Sequence, residues 1–391
     1  MKRVFVVVVA AIMLCGCGSD SGFTVNGKSG DKDGQAVLSY TDATDEELCD
    51  TVAMTAGTFR FKGSVDDVYQ AVVKVLPDGE MPISAALYLE NTDIEFSMDP
   101  ENSVDFGPQT GRVCEHPTVT GGRNNAFIGA MNEAQAAVDS LPEYAEYLAA
   151  RTELSKADRS DRDAYHALYA EFRNRYGETM KAYAEAKAAA SVGCVKAHPE
   201  CEAAAIQYMF YKNDASLEEM ESVYETFTPT VQKSFLCKPL AEEITALKAT
   251  SPGAQAPDFT LKDREGKDVT MSSLRGSYLI IDFWASWCGP CRAGMPAMKE
   301  LYARYHDKGL EILGVSDDSD HDKWTAALDE DQLPWINVVD EFPSKSRSAR
   351  VISSYGVHYI PSYFLLDRDG KVIGKMSHDE IEAKLAELLG E

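Results

Sequence analysis

Two cysteines separated by two residues, Cys288 and Cys291, stand between an apolar run, Tyr278 to Trp284, and a helical pattern that begins at Gly289 and runs to about His306. That placement can turn a thiol into a nucleophile. The first turn of a helix carries N–H groups with no intrahelical acceptor and the positive end of the dipole, so Cys288 is favoured as a thiolate, the form that attacks disulfides. Two intervening residues bring Cys291 one turn along the helix, in reach of the mixed disulfide formed at Cys288, and its attack would release the reduced substrate. A zinc half-site or an inert structural disulfide could use the same spacing. Zinc would need two further ligands at motif spacing, which the chain does not supply, so neither a metal nor a cofactor is expected.

The elements that must position this pair follow Ser251-Pro252-Gly253, which punctuates the chain. Strands are expected at Tyr278–Trp284, Leu310–Ser316, Trp335–Val339 and Tyr363–Leu366. Asp367-Arg368-Asp369-Gly370 makes a hairpin turn into Lys371–Met376, and Asp379–Leu389 closes the chain as a helix. Strands alternating with helices predict an α/β sheet covered on both faces, over residues 251–391.

Upstream the periodicity is different. Across 39–123 short alternating or apolar runs (Phe59 and Phe61 with Arg60 and Lys62, Ala71–Leu76, Ala85–Leu89, Ile94–Met98) predict a small antiparallel β-rich domain. Across 124–250 the period becomes helical: Tyr165, Leu168, Tyr169, Phe172, Tyr176, Met180 and Tyr183 form one stripe, read chiefly as packing surface. Ser216 with Glu219 spells a capping box, and Pro229 after Thr228 suits a helix start. The layout is therefore multidomain: a C-terminal α/β fold preceded by a small β-rich domain and an α-helical segment.

At the N-terminus Lys2 and Arg3 precede an apolar run from Val4 to Leu14, too short for a bilayer-spanning helix and typical of a secretion signal, here 1–16. Its ending, Leu14-Cys15-Gly16-Cys17, resembles the lipobox of bacterial lipoproteins. That resemblance implies lipidation of Cys17, a tether over 17–38 and a periplasmic, membrane-anchored protein. With 38 Lys plus Arg against 63 Asp plus Glu and a net charge of −25, nucleic acid is not an expected partner.

Leu279-Ile280-Ile281-Asp282-Phe283-Trp284 through Trp287-Cys288-Gly289-Pro290-Cys291 resembles the active-site strand and helix of thioredoxin. Pro257-Asp258-Phe259-Thr260-Leu261, Leu274-Arg275-Gly276 and the stretch from Tyr355-Gly356-Val357 to Ile360-Pro361 resemble the TlpA/ResA-like branch of secreted thiol-disulfide oxidoreductases. The resemblance covers 254–391, and by it several residues acquire roles. Cys288 attacks and Cys291 resolves, the two forming the redox-active disulfide. Asp282 is a buried carboxylate that exchanges a proton with Cys291. Pro361 is a cis-proline that brings the Ile360 backbone beside the cysteines, Pro296 kinks the active-site helix, and Trp287 caps a docking surface with Gly289 and Pro290. Gly289-Pro290 is the dipeptide of reducing thioredoxin. The implied activity is reduction of protein disulfides, with apocytochrome c among the clients and an upstream thiol electron donor to recharge the pair. Peroxiredoxins share the opening motif but carry Thr or Ser three residues before their reactive cysteine, where this chain has Ala285.

Three readings stay open beside this one: an oxidase or isomerase using the same residues, a lipoprotein whose 39–248 region binds a partner while the redox unit is secondary, and a disulfide joining Cys194 to Cys201 across a helical hairpin broken at Pro199. His358, three residues before Pro361, reads as a solvated loop residue near the active site.

Overall fold

The computed structural model describes residues 22–107, 111–158, 160–212, 215–343 and 348–390. The signal segment 1–16 and Cys17 lie outside the described residues. The chain divides into two compact units, the first ending at Ala126 and the second running from Phe127 to the C-terminus, with Asp42–Glu46 grouped with the second.

In the first unit the strands are β1 (Phe23–Ser29), β2 (Gly34–Thr41), β3 (Glu47–Met54), β4 (Thr58–Gly63), β5 (Tyr69–Pro77), β6 (Ile83–Leu89), β7 (Asp93–Met98), β8 (Val104–Asp105), β9 (Arg112–Val113) and β10 (Thr118–Thr120). They form two sheets, ordered β10-β7-β1-β4 and β3-β2-β5-β6-β9-β8. Pairing is mostly antiparallel, as the expected antiparallel module requires, but β1 runs parallel to β7 and β6 parallel to β9. Period-2 alternation puts Ala71, Val73 and Val75 of β5 into one core with Val25, Leu38, Phe61 and Ile94.

The tether expected over 17–38 is also corrected, because residues 23–38 are built into both sheets. Phe23 and Val25 are buried, and β1 lies between β4 and β7. Asn26-Gly27-Lys28 has linker composition, but Gly27 is a strand position on the buried face. A Cβ there would stand 1.8 Å from the Phe59 ring, so glycine is what lets that ring close over β1. A chain beginning at Ser39 loses the buried Phe23, Val25, Ala36 and Leu38. At about 1.5–3 kcal/mol per large buried side chain the loss is comparable with the stability of a small domain. Limited proteolysis of that truncated chain should cut rapidly within 47–126 and spare a fragment beginning near Phe127; uniform resistance would contradict this packing.

The second unit opens with the helices α1 (Arg123–Asp139), α2 (Ala145–Ser155), α3 (Arg162–Ala197), α4 (Glu202–Tyr211), α5 (Leu217–Thr226), α6 (Pro229–Lys233) and α7 (Lys238–Ala249), α1 starting just before the boundary. The aromatic stripe lies on α3: Phe172, Tyr176, Met180 and Tyr183 pack with Tyr144 and Tyr147, whereas Leu168 and Tyr169 face solvent. Ser216 and Glu219 complete a reciprocal capping box on α5. The Cys194–Cys201 bridge is not formed; the Cys194 sulfur lies 3.8 Å from His198 Nδ1 instead. Among the described residues no helix is long and apolar enough to cross a membrane.

The α/β fold follows as β11 (Thr260–Asp263), β12 (Asp268–Thr270), β13 (Tyr278–Trp284), α8 (Gly289–Tyr305), β14 (Leu310–Ser316), α9 (His321–Asp331), β15 (Ile336–Val339), α10 (Arg350–Ser354), β16 (Ser362–Leu366), β17 (Val372–Met376) and α11 (His378–Leu389). Among the described residues its sheet order is β12-β11-β15-β14-β13-β16-β17, with β13, β14 and β15 parallel to one another. Central β13 is apolar on both faces except at Asp282, because each face is covered. Leu279, Ile281 and Phe283 enter a core with Val351, Tyr355 and Phe364. Ile280 and Trp284 enter the opposite one with Cys288, Cys291, Met295 and Ile381.

Candidate functional site

Strand β13 delivers the chain to Trp284, a short turn follows, and Cys288 is the N-cap of α8. Its sulfur accepts a hydrogen bond from the Cys291 backbone N–H at 3.2 Å. A donor aimed at that sulfur and the helix dipole both favour negative charge there. Pro290 occupies the first turn, where its missing N–H costs no helical bond. Cys288 and Cys291 are joined as a disulfide. Cys288 is only 4% exposed and Cys291 1%, while Trp287 is 64% exposed and Gly289 and Pro290 also face solvent. The sulfur a substrate would meet is thus recessed among three exposed residues.

The facing side is the loop before β16. The Ile360–Pro361 peptide is cis, and the Ile360 carbonyl oxygen lies 3.8 Å from Cys288 Sγ. Ile360 packs against the cores on both faces of the sheet. Tyr359 beside it is 69% exposed.

Asp282 shares the face of β13 that carries Ile280 and Trp284, so its carboxyl enters the layer holding the cysteine pair. It is 1% exposed, and neither carboxyl oxygen has a hydrogen-bond partner among the described residues. Burial without a partner disfavours the anion, and the pKa is pushed up to about 7. On the neighbouring strand Tyr363 stands opposite Asp282; burial first and the Asp282 charge second push its phenol well above the usual range. An acid of this kind can take up and return a proton near neutral pH.

One positioning group escaped the sequence reading. Buried Asp318 accepts the Ser286 backbone N–H at 2.7 Å, the Ser286 hydroxyl at 2.6 Å and the Ser316 hydroxyl at 2.6 Å. It ties the turn before Cys288 to the end of β14. The signal was available: Ser316-Asp317-Asp318 ends a parallel strand, the edge of an α/β sheet where sites collect. Next to it the Trp287 indole N–H donates to the Asp317 carbonyl at 3.4 Å. The Asp317 carboxyl is pushed up to about 6, chiefly by burial and then by the charges of Asp340 and Asp318.

His358 is an exposed loop residue, as expected, and it also reaches helix α7. Its Nε2 lies 2.7 Å from Glu243 Oε2, on helix α7. Pro296 lies inside α8, and Ala285 is fully buried.

Comparison with known proteins gives this geometry a context. Residues 252–375 match the AhpC/TSA family, and residues 23–127 match a domain of unknown function, DUF4369. Thiol-disulfide oxidoreductase ResA of Bacillus thuringiensis (strain Al Hakam) is 33% identical over 145 residues, covering 35% of this chain and 78% of that protein. ResA of Geobacillus thermodenitrificans is 34% identical over 149 residues, covering 37% and 82%. A solved thiol-disulfide oxidoreductase from Bacteroides fragilis is 31% identical, with a TM-score of 0.32, covering 34% of this chain and 98% of that one. With a cysteine pair at a strand-to-helix turn and relatives matched over most of their length, the chain belongs to the ResA-like thiol-disulfide oxidoreductases and is an enzyme of that kind, its thioredoxin-like domain lying at the C-terminus.

Proposed function

We propose that this oxidoreductase reduces protein disulfides in the periplasm, anchored to a membrane through lipid on Cys17. The recessed Cys288 sulfur at a helix N-terminus carries the disulfide-exchange reading, and the reductive direction rests on Gly289-Pro290, the dipeptide of reducing thioredoxin by resemblance. Reduced Cys288, as thiolate, attacks one sulfur of the client disulfide and forms a mixed disulfide; the other client sulfur leaves as thiolate. Cys291 gives its proton to Asp282, attacks Cys288 Sγ, and expels the second client thiolate. Two electrons have then passed to the client, and the pair is oxidised. An upstream thiol carrier returns it to the dithiol. The Ile360 backbone beside the cysteines suits pairing with an extended client segment, apocytochrome c being one such client by resemblance. The signal and Leu14-Cys15-Gly16-Cys17 support the location and the anchor.

The direction of electron flow is tested by the reduction potential of the Cys288–Cys291 pair, equilibrated against thiol buffers. A value near about −270 mV is expected for a reductant. One between about −180 and −120 mV would make the enzyme an oxidase or isomerase and overturn the reading.

A further inference from the structure

Helix α7 belongs to the helical segment, yet three contacts tie one face of it to the loop that carries Ile360. Gly356 has φ +61°, and a Cβ there would stand 3.6 Å from both Ala246 and Leu247. One turn earlier on the same face Glu243 is 7% exposed, and its two oxygens point at different partners. Oε2 lies 2.7 Å from His358 Nε2, and Oε1 lies 3.1 Å from Lys212 Nζ at the end of α4. From the sheet, exposed Lys375 of β17 joins the cluster. Burial holds its ammonium below the usual lysine range, the Glu243 charge opposes that shift, and its Nζ lies 4.7 Å from the centroid of the Tyr359 ring. Glu243 thus faces three basic groups, and two of those lie on or under the His358-Tyr359-Ile360 stretch.

The position of that stretch matters to the reaction in a selective way. A small disulfide needs only the Cys288 sulfur. A polypeptide that lies along the loop also needs the Ile360 backbone held at a fixed distance from that sulfur, 3.8 Å in the structure. Nothing covalent holds it there, and Tyr359, next to it, is exposed. An anchored His358 restricts the loop before the client arrives, so less ordering remains to be done on binding.

We propose that Glu243 is a positioning residue for client capture, which makes the helical segment a working part of the exchange site for extended polypeptide disulfides and leaves small disulfides indifferent to it. The inference rests on the reading that protein disulfides are the substrates. It is tested on the full reduced enzyme with two probes, disulfide-bonded insulin and the small aromatic disulfide dithiobis-nitrobenzoate. Glu243→Leu should raise KM for insulin about tenfold with kcat held within about twofold, and should leave the small-disulfide rate within about twofold of wild type. Glu243→Gln, which keeps one acceptor oxygen, should raise KM about threefold, and it carries the same test if the leucine variant does not fold. Parallel losses on both probes would make Glu243 merely structural, and an unmoved KM would show that the loop needs no such hold; either overturns the proposal. Should wild type reduce the small probe but not insulin, the protein-substrate reading fails and this inference with it. Should wild type reduce both while the variants do not separate them, the inference alone fails.

Discussion

Cys288→Ser drops disulfide exchange to the uncatalysed background, a loss of about a thousandfold or more, while Cys291→Ser keeps the first attack and stops at the mixed disulfide. The two cysteines differ because the helix start treats them differently. Cys288 caps α8 and receives the N–H of Cys291, whereas Cys291 sits within the helix, 1% exposed. A serine hydroxyl at 288 stays protonated and cannot displace a thiolate. With serine at 291 no second thiol is present to expel the client, so covalent adducts at Cys288 should accumulate on non-reducing gels. Exchange that survived Cys288→Ser, or adducts that formed only in the Cys288→Ser protein, would reverse the assigned roles.

Asp282→Asn should make the oxidised protein more stable at alkaline pH and slower as a catalyst. Burial pushes the folded-state pKa from 3.8 to about 7. Between those values the folded protein holds a proton that the unfolded chain has released, so stability falls as pH rises from about 4 and levels off above about 8. About three pKa units at 1.36 kcal/mol each give a difference of about 4 kcal/mol at most. Asparagine fills the same space and does not titrate. Wild type and variant should therefore melt at similar temperatures near pH 4, with the variant ahead by several degrees at pH 8. Resolution of the mixed disulfide should slow about a hundredfold at pH 7, since no internal base remains to take the Cys291 proton. Melting curves that stay parallel from pH 4 to 8 would mean that Asp282 is solvated or paired.

What was legible in the chain follows from where each signal resides. Strand β13 runs over Tyr278–Trp284 as expected, because a strand covered on both faces reads as a nearly continuous apolar run, here broken by Asp282, and its ends are abrupt. The helix from Gly289 was equally open to reading, since the residues that start it are those that do the chemistry. Strand β1 was hidden because Asn26, Gly27 and Lys28 look like linker residues until Phe59, more than thirty positions later, is seen lying on the glycine. Glu243 was hidden for a similar reason. Its partners His358 and Lys212 lie in other elements, and no local period distinguishes a glutamate that faces inward from the solvated Glu242 beside it. Asp318 lies between these cases, its place at a strand end being visible and its grip on Ser286 not.

The parallel pairing of β1 with β7 sets an order of events for the growing chain. Asn26 and Glu95, side by side across that pairing, are 69 residues apart, and β1 reaches its other neighbour only when β4 exists. This strand, the first among the described residues, is thus among the last to find both partners, because closing so long a loop costs entropy that only the finished sheet returns. Until β4 and β7 have both emerged, Phe23 and Val25 remain incompletely covered apolar groups, and a holdase that recognises extended apolar segments would find its binding site there.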